Sequence, residues 1–377
     1  MTTIMISHLF LQNYWWIIVS LLASLLVFLM FVQGGQSLIF TLPRNDMQKT
    51  MIINTIGRKW DLTFTTLVTF GGAFFASFPL FYATSFGGAY WVWIAILFSF
   101  ILQAVAYEFR SKPGNVFGQG TFDVFLFLNG ALGPLLIGIA VATFFTGSQF
   151  SLDDMNRVKW ASSWYGLEAV LDIRNVALGM AVLFLSRVNG LLYIINTIDD
   201  DSLKTRSFQK LMINSVLFLV PFLFFVVSIL LSSGFAADPV TGTISLEKYK
   251  YLNNLLQMPL VLVIFLAGVA GVLYGIGLAL LRKSTRGVWF TSIGTVLAVF
   301  AVFMLAGFNG TSFYPSAYDL QSSLTIRNAS SSEFTLRTMM YVSFLVPFVF
   351  GYIAYAWKSI NNKNITSDEM NSGEHKY

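Results

Sequence analysis

The stretch Pro259–Leu281, PLVLVIFLAGVAGVLYGIGLALL, carries no charged side chain and ends on Arg282 and Lys283. A bilayer core of ~30 Å is crossed by ~20 consecutive apolar residues in an α-helix, so this segment is long enough to span. Its apolar character is continuous. A barrel strand would alternate polar and apolar residues, so the run is read as a helix. Gly271 and Gly275 form a GxxxG step flanked by Gly268 and Gly277, a small face on which another helix can close tightly.

Working outward, the same rule gives nine spans, at 14–40, 62–84, 87–107, 122–146, 168–197, 211–233, 256–281, 288–307 and 338–357. Composition agrees: 56% of the 377 residues are hydrophobic and only 11% charged, against about 25% charged in an ordinary soluble domain. With 38 Phe, the apolar surface is too large for one globular core, and lipid is the expected solvent. The expected fold is therefore an all-α integral membrane protein of about nine transmembrane helices. The span count suits two four-helix bundles plus one peripheral helix, in a single polytopic domain with a polar tail over 358–377. The first run begins near Tyr14 and passes Phe40, too long for a signal-peptide core, and reads as an uncleaved span.

Basic residues give the orientation. One set of loops holds fifteen Lys and Arg, among them Arg44, Lys49, Arg58, Lys59, Arg110, Lys112 and Lys358, and the other holds seven, such as Arg157, Arg174 and Arg327. The richer set belongs on the cytoplasmic side, which puts the N-terminus outside and the C-terminus inside. The net charge of +5 is thus a topology signal, and no nucleic-acid partner is expected. The chain has no Cys, which excludes disulfides and thiolate-bound metal. Its two histidines, His8 and His375, lie near the termini, outside the apolar runs. A haem buried among these helices would have no imidazole from this chain.

Ionisable groups at membrane depth are costly and are the first places to look for function. Asp61 opens the second span and Asp123 the fourth. Each suits a helix N-cap, and each also suits a proton-entry carboxylate. Glu108 closes the third span before Arg110 and Lys112, as an interfacial charged cluster or a third acid. All three are expected on the cytoplasmic side, where they could relay protons if they converge in space. Gln33, in Gln33-Gly34-Gly35-Gln36, interrupts the first helix near its inner end and suits an interhelical contact or an ordered water. Arg187 is the most unusual residue, midway along the fifth span. It calls for Asp123, Glu108 or an anionic group of another subunit as partner, unless the helix ends near Leu185. No P-loop, dinucleotide fingerprint or His-rich metal site is present. The chain therefore transports something, supports a cofactor-bearing subunit, or serves as a membrane scaffold. Helices broken at Pro79 and Pro134 would suit a secondary transporter.

The block Gly71-Gly72-Ala73-Phe74-Phe75-Ala76-Ser77-Phe78-Pro79-Leu80-Phe81-Tyr82-Ala83, with Phe86 and Gly88, resembles subunit II of cytochrome bd-type quinol oxidases. So do Arg44-Asn45-Asp46, Trp60-Asp61, Glu108-Phe109-Arg110-Ser111-Lys112, and Ser323-Leu324-Thr325-Ile326 with Asn328-Ala329-Ser330. The likeness covers nearly the whole chain. It implies a bacterial cytoplasmic (inner) membrane and a partner subunit I that holds haem b, haem d and the quinol site. It also implies a role in quinol oxidation, dioxygen reduction to water and proton uptake. Subunit II in this family ligates no haem. It packs beside the haems and contributes to a proton path, and a structural quinone and a small accessory subunit are further expected partners. Three positions depart from the family pattern. Met30-Phe31-Val32-Gln33 stands for Asp-Gly-Phe-Asp, Leu62-Thr63-Phe64 for Gly-Asn-Glu, and Gln103 for an Arg. Arg187 is a candidate to replace the charge missing at 103.

Overall fold

The computed structural model describes residues 7–361 and 364–366; His375 and most of the expected tail lie outside them. Among the described residues, eight helices are long and apolar enough to cross a bilayer, and a bent pair makes a ninth. The first span runs as α1 (His8–Leu29) and α2 (Phe31–Gln36), starting earlier than expected because the Ser7 hydroxyl caps Phe10 N at 3.2 Å. The second is α3 (Asp46–Gly57) and α4 (Trp60–Ser77), followed by α5 (Pro79–Phe81) and a π-helical turn (Tyr82–Gly87). The chain bends by 117° between Ser77 and Pro79. A Pro there removes a helical hydrogen bond and disfavours helical backbone in the residue before it. Next come α6 (Tyr90–Phe109) and α7 (Gln119–Thr146). Pro134 lies inside α7 without breaking it, as the expected span at 122–146 requires; the break that the transporter reading would use there is not found.

The second half comprises α8 (Ile173–Thr197), α9 (Asp201–Leu231), α10 (Lys250–Gln257), α11 (Pro259–Arg282) and α12 (Gly287–Gly307). The last expected span is interrupted at Phe344 and Leu345, giving α13 (Glu333–Ser343) and α14 (Val346–Ile360). The GxxxG step works as read: a Cβ on Gly275 would fall 2.6 Å from the Gly287 carbonyl oxygen of α12. The first group of helices (α1–α2, α4, α6 and α7) meets the second (α8, α9, α11 and α12) through α2 on α8, α7 on α8 and α1 on α12. The α13–α14 segment is peripheral, with 12% of its apolar window buried.

Two antiparallel hairpins were not foreseen. They are β1 (Phe150–Leu152) with β2 (Val158–Trp160), and β3 (Ser233–Ala237) with β4 (Ile244–Lys248). Both sit at one end of the molecule with the 308–332 loop, tied to it by Ser148 pairing with Ser316 and Ala236 with Thr311. Beneath them the Phe excess forms a ring cluster: Trp16 lies 4.6 Å from Phe313, and Phe74 4.4 Å from Phe81. The opposite end gathers the 41–59 segment, the start of α9 and the C-terminal residues; Gln48 donates to Ser202 at 2.8 Å, and Ile198 pairs with Ile365. The basic-rich loops thus lie together at one end.

Candidate functional site

The glycine pair in Gln33-Gly34-Gly35-Gln36 positions the site. A Cβ on Gly34 would fall 1.8 Å from the Ser186 carbonyl oxygen of α8, so α2 presses directly on that helix backbone. On its other flank α2 meets α7, where a Cβ on Gly130 would fall 2.6 Å from Gln33 O. This wedge drives Gln33 and Gln36 into the interior, both fully buried.

They meet a polar face of α6. Ser99, Gln103, Tyr107 and Arg110 recur at helical spacing and are all buried. From Ser99 to Arg110 the face rises about 16 Å. Gln33 Nε2 donates to Gln103 Oε1 at 2.6 Å and to Asn129 Oδ1 at 3.1 Å; Asn129 Nδ2 donates to Ser99 Oγ at 3.3 Å. One step toward the basic end, Gln36 Nε2 donates to the Tyr107 hydroxyl at 3.1 Å, and Tyr107 stacks on Trp60. At the foot, Asp123 accepts from Arg110 Nε at 2.7 Å and from Lys49 Nζ at 3.3 Å. Asp123 is 3% exposed. Three atoms of this column, Gln33 Oε1, Gln36 Oε1 and Gln103 Nε2, are buried without a protein partner. Buried polar atoms of this kind are the usual partners of internal water.

The other sequence candidates fall elsewhere. Asp123 is not a cap: α7 begins four residues earlier, after Gly118, and the carboxylate is a buried ion-pair centre. Asp61 does not cap either. It sits exposed in the first turn of α4, behind Lys59 at the cap position. Glu108 is exposed and paired with Lys112 at 2.9 Å, one turn along the same surface. Of the three acids, Asp123 alone is buried; Asp61 and Glu108 are exposed.

Arg187 lies well inside an unbroken α8, which overturns a helix end near Leu185. It pairs with neither Asp123 nor Glu108, because α2 ends directly against it. Its Nε donates to Ser37 Oγ at 2.8 Å and its Nη2 to Ser37 O at 3.0 Å. A guanidinium at a helix C-terminus satisfies carbonyls that the helix leaves open and meets the negative end of its dipole. Gln103, the position it was a candidate to compensate, engages Gln33 instead.

At the opposite end a polar cavity of ≈ 540 Å³ is lined by Ser148, Trp160, Glu168, Asp172 and Asn175. Asp172 caps α8 and accepts from Arg174 Nη2 at 2.5 Å; that hydrogen bond holds its carboxyl below the usual carboxylate range. His8 Nε2 pairs with Ser331 O at 3.1 Å at this same end. Among the described residues no group of three or more His, Cys, Asp or Glu is placed to hold a metal.

A family model for cytochrome bd terminal oxidase subunit II matches residues 11–360. The chain belongs to that family. It is 28% identical to the cytochrome bd-I ubiquinol oxidase subunit 2 of Escherichia coli (strain K12), over 98% of this chain and 99% of the relative. It is 29% identical to the cytochrome bd ubiquinol oxidase subunit 2 of Bacillus subtilis (strain 168), over 90% and 93%. The fold is similar to that of a chain in the solved bd oxidase of Geobacillus thermodenitrificans, with a TM-score of 0.63 at 11% identity, covering 93% of this chain and 97% of that one. As a member of the subunit II family, the chain is a multi-pass membrane component of a bacterial respiratory oxidase.

Proposed function

We propose that this chain pairs with a haem-bearing subunit I and gives protons a route from the cytoplasm toward the site of dioxygen reduction. The haems b and d of the partner supply the redox chemistry, and this chain shields them and handles protons. The observation that carries the reading is the buried column from Asp123 to Ser99. It runs inward from the basic end of the molecule, which the distribution of Lys and Arg assigns to the cytoplasm. Asp123 is its one carboxylate and the entry group. Arg110 and Lys49 hold it in place. Above it, Gln36, Tyr107, Gln33, Gln103 and Asn129 order water, and protons pass along the water they hold. The names of the Escherichia coli and Bacillus subtilis relatives support ubiquinol as the electron donor.

A structural quinone fits this chain in part. An apolar cavity of ≈ 90 Å³ lies between α1, α7, α8, α9, α11 and α12, with Thr295 as its one polar lining side chain. It suits a segment of isoprenoid tail, and it offers no site for a quinone headgroup. A secondary transporter would line one substrate route with Arg187, the Gln33–Gln36 cluster and Asp61; here Arg187 is bound to Ser37, both Gln are buried in the column and Asp61 is exposed.

The test is the purified complex in liposomes loaded with a pH dye. Gln33→Leu and Gln103→Leu should slow proton uptake at unchanged haem content. Unchanged uptake in both would remove the column from the proton path.

A further inference from the structure

We infer that the cytoplasmic end of this subunit binds one anionic phospholipid in the groove beside α14. A cavity of ≈ 620 Å³ opens there, with Phe28, Trp289 and Trp357 as aromatic walls and Asn196, Asn361 and Lys358 as polar ones. It is too large for a lone ion. Its lining holds a cation and no carboxylate. Bilayer interfaces are where Trp and Lys gather around headgroups.

A second observation points to a missing anion. Lys59 is 0% exposed, and among the described residues its ammonium has no hydrogen-bond acceptor. It lies 4.8 Å from the centre of the Trp357 ring, the same ring that walls the cavity. The Trp357 indole N–H is also buried without an acceptor. A desolvated cation over an indole gains less than burying an ammonium costs. Among the described residues the arrangement is short of a negative charge.

A lipid phosphate supplies that charge and acceptors for the amides and the indole, while its acyl chains run along Phe28 and Trp289. A zwitterionic lipid would leave the cations uncompensated, and free phosphate would leave the aromatic walls bare. Because α13–α14 is the most exposed of the spans, lipid reaches the groove directly.

The test is native mass spectrometry of the delipidated oxidase complex, titrated with phosphatidylglycerol and, separately, phosphatidylcholine. One phosphatidylglycerol should be retained in preference to phosphatidylcholine and survive millimolar inorganic phosphate. Lys59→Met should weaken retention about fivefold or more, and Lys358→Gln should weaken it in the same direction. Equal retention of the two lipids, or displacement by inorganic phosphate, would overturn the site. So would loss of the partner subunit from Lys59→Met with phosphatidylglycerol still bound, because the missing anion would then be the partner's. Should Lys59→Met fail to assemble, Lys358→Gln, on the exposed end of α14, carries the same comparison, and unchanged retention there counts against the site.

Discussion

Replacing Asp123 by Leu separates what the carboxylate does for the fold from what it does for protons. Asp123 and Arg110 are 3% and 5% exposed and lie 2.7 Å apart; Lys49 is more open, with its side chain 24% exposed. Removing the carboxylate strands the Arg110 guanidinium in a buried site. Breaking one half of such a pair costs about 3–5 kcal/mol, a factor of about a hundred to a few thousand in the folding equilibrium. Replacing both halves by apolar residues of similar volume removes the uncompensated charge, so Arg110→Met with Asp123→Leu should recover most of that loss. Thermal unfolding of the purified complex in detergent, followed by Trp fluorescence, measures both. Liposomes loaded with a pH dye then compare the stable double variant with wild type. It should assemble, hold haem and slow proton uptake and dioxygen reduction together, because making water consumes protons in fixed ratio to dioxygen. If Asp123→Leu alone unfolds like wild type, the buried ion pair is wrong. If the double variant takes up protons at the wild-type rate, Asp123 is structural only.

Gly34→Ala should cost about 3 kcal/mol or more, because its Cβ would lie 1.8 Å from a backbone oxygen of α8, whereas Gly72→Ala, with nothing within 4 Å, should be nearly neutral in the same melt. Asp172 is held below its ordinary pKa first of all by Arg174. Its contribution is complete above the unfolded value of about 3.9 and is lost as pH falls through the lower folded value. Asp172→Asn should therefore lower the melting temperature in the neutral region, where the contribution is present, and flatten the acid limb, so that the two profiles converge at low pH. Asp61→Asn and Glu108→Gln, both at exposed positions, should shift stability by no more than about 0.5 kcal/mol and leave proton uptake intact; a slowed uptake in either would return these acids to the path.

The spans were legible because a lipid-crossing helix must be apolar over its whole length, and 259–281 declares itself by that alone. Interruptions were legible only in part. Pro79 breaks its helix and Pro134 does not, and the same residue type in the sequence cannot separate the two, since neighbouring helices decide whether the freed carbonyl is satisfied. Gln33 was visible as a polar break in an apolar run. Of the column around it, Ser99, Tyr107 and Asn129 were not marked out and Gln103 only through the resemblance, though the i, i+4, i+8 spacing of Ser99, Gln103 and Tyr107 on α6 was a usable signal. The convergence of Arg110 and Lys49 on Asp123 joins residues 13 and 74 positions apart, and no local pattern encodes it. Arg187 was found by its cost at membrane depth, yet its partner is the end of a short helix, a feature with no charge to look for. The first hairpin was missed for want of length: β1 and β2 have three residues each, too few to show a two-residue period.

Haem content tests the whole account most directly. The chain should be expressed alone and together with its neighbouring haem subunit, purified from membranes, and assayed for haem per polypeptide by absorption in the visible range. The chain on its own should be colourless, and all haem should travel with the pair. A stoichiometric haem bound to the isolated chain, ligated by one of its own side chains, would contradict it.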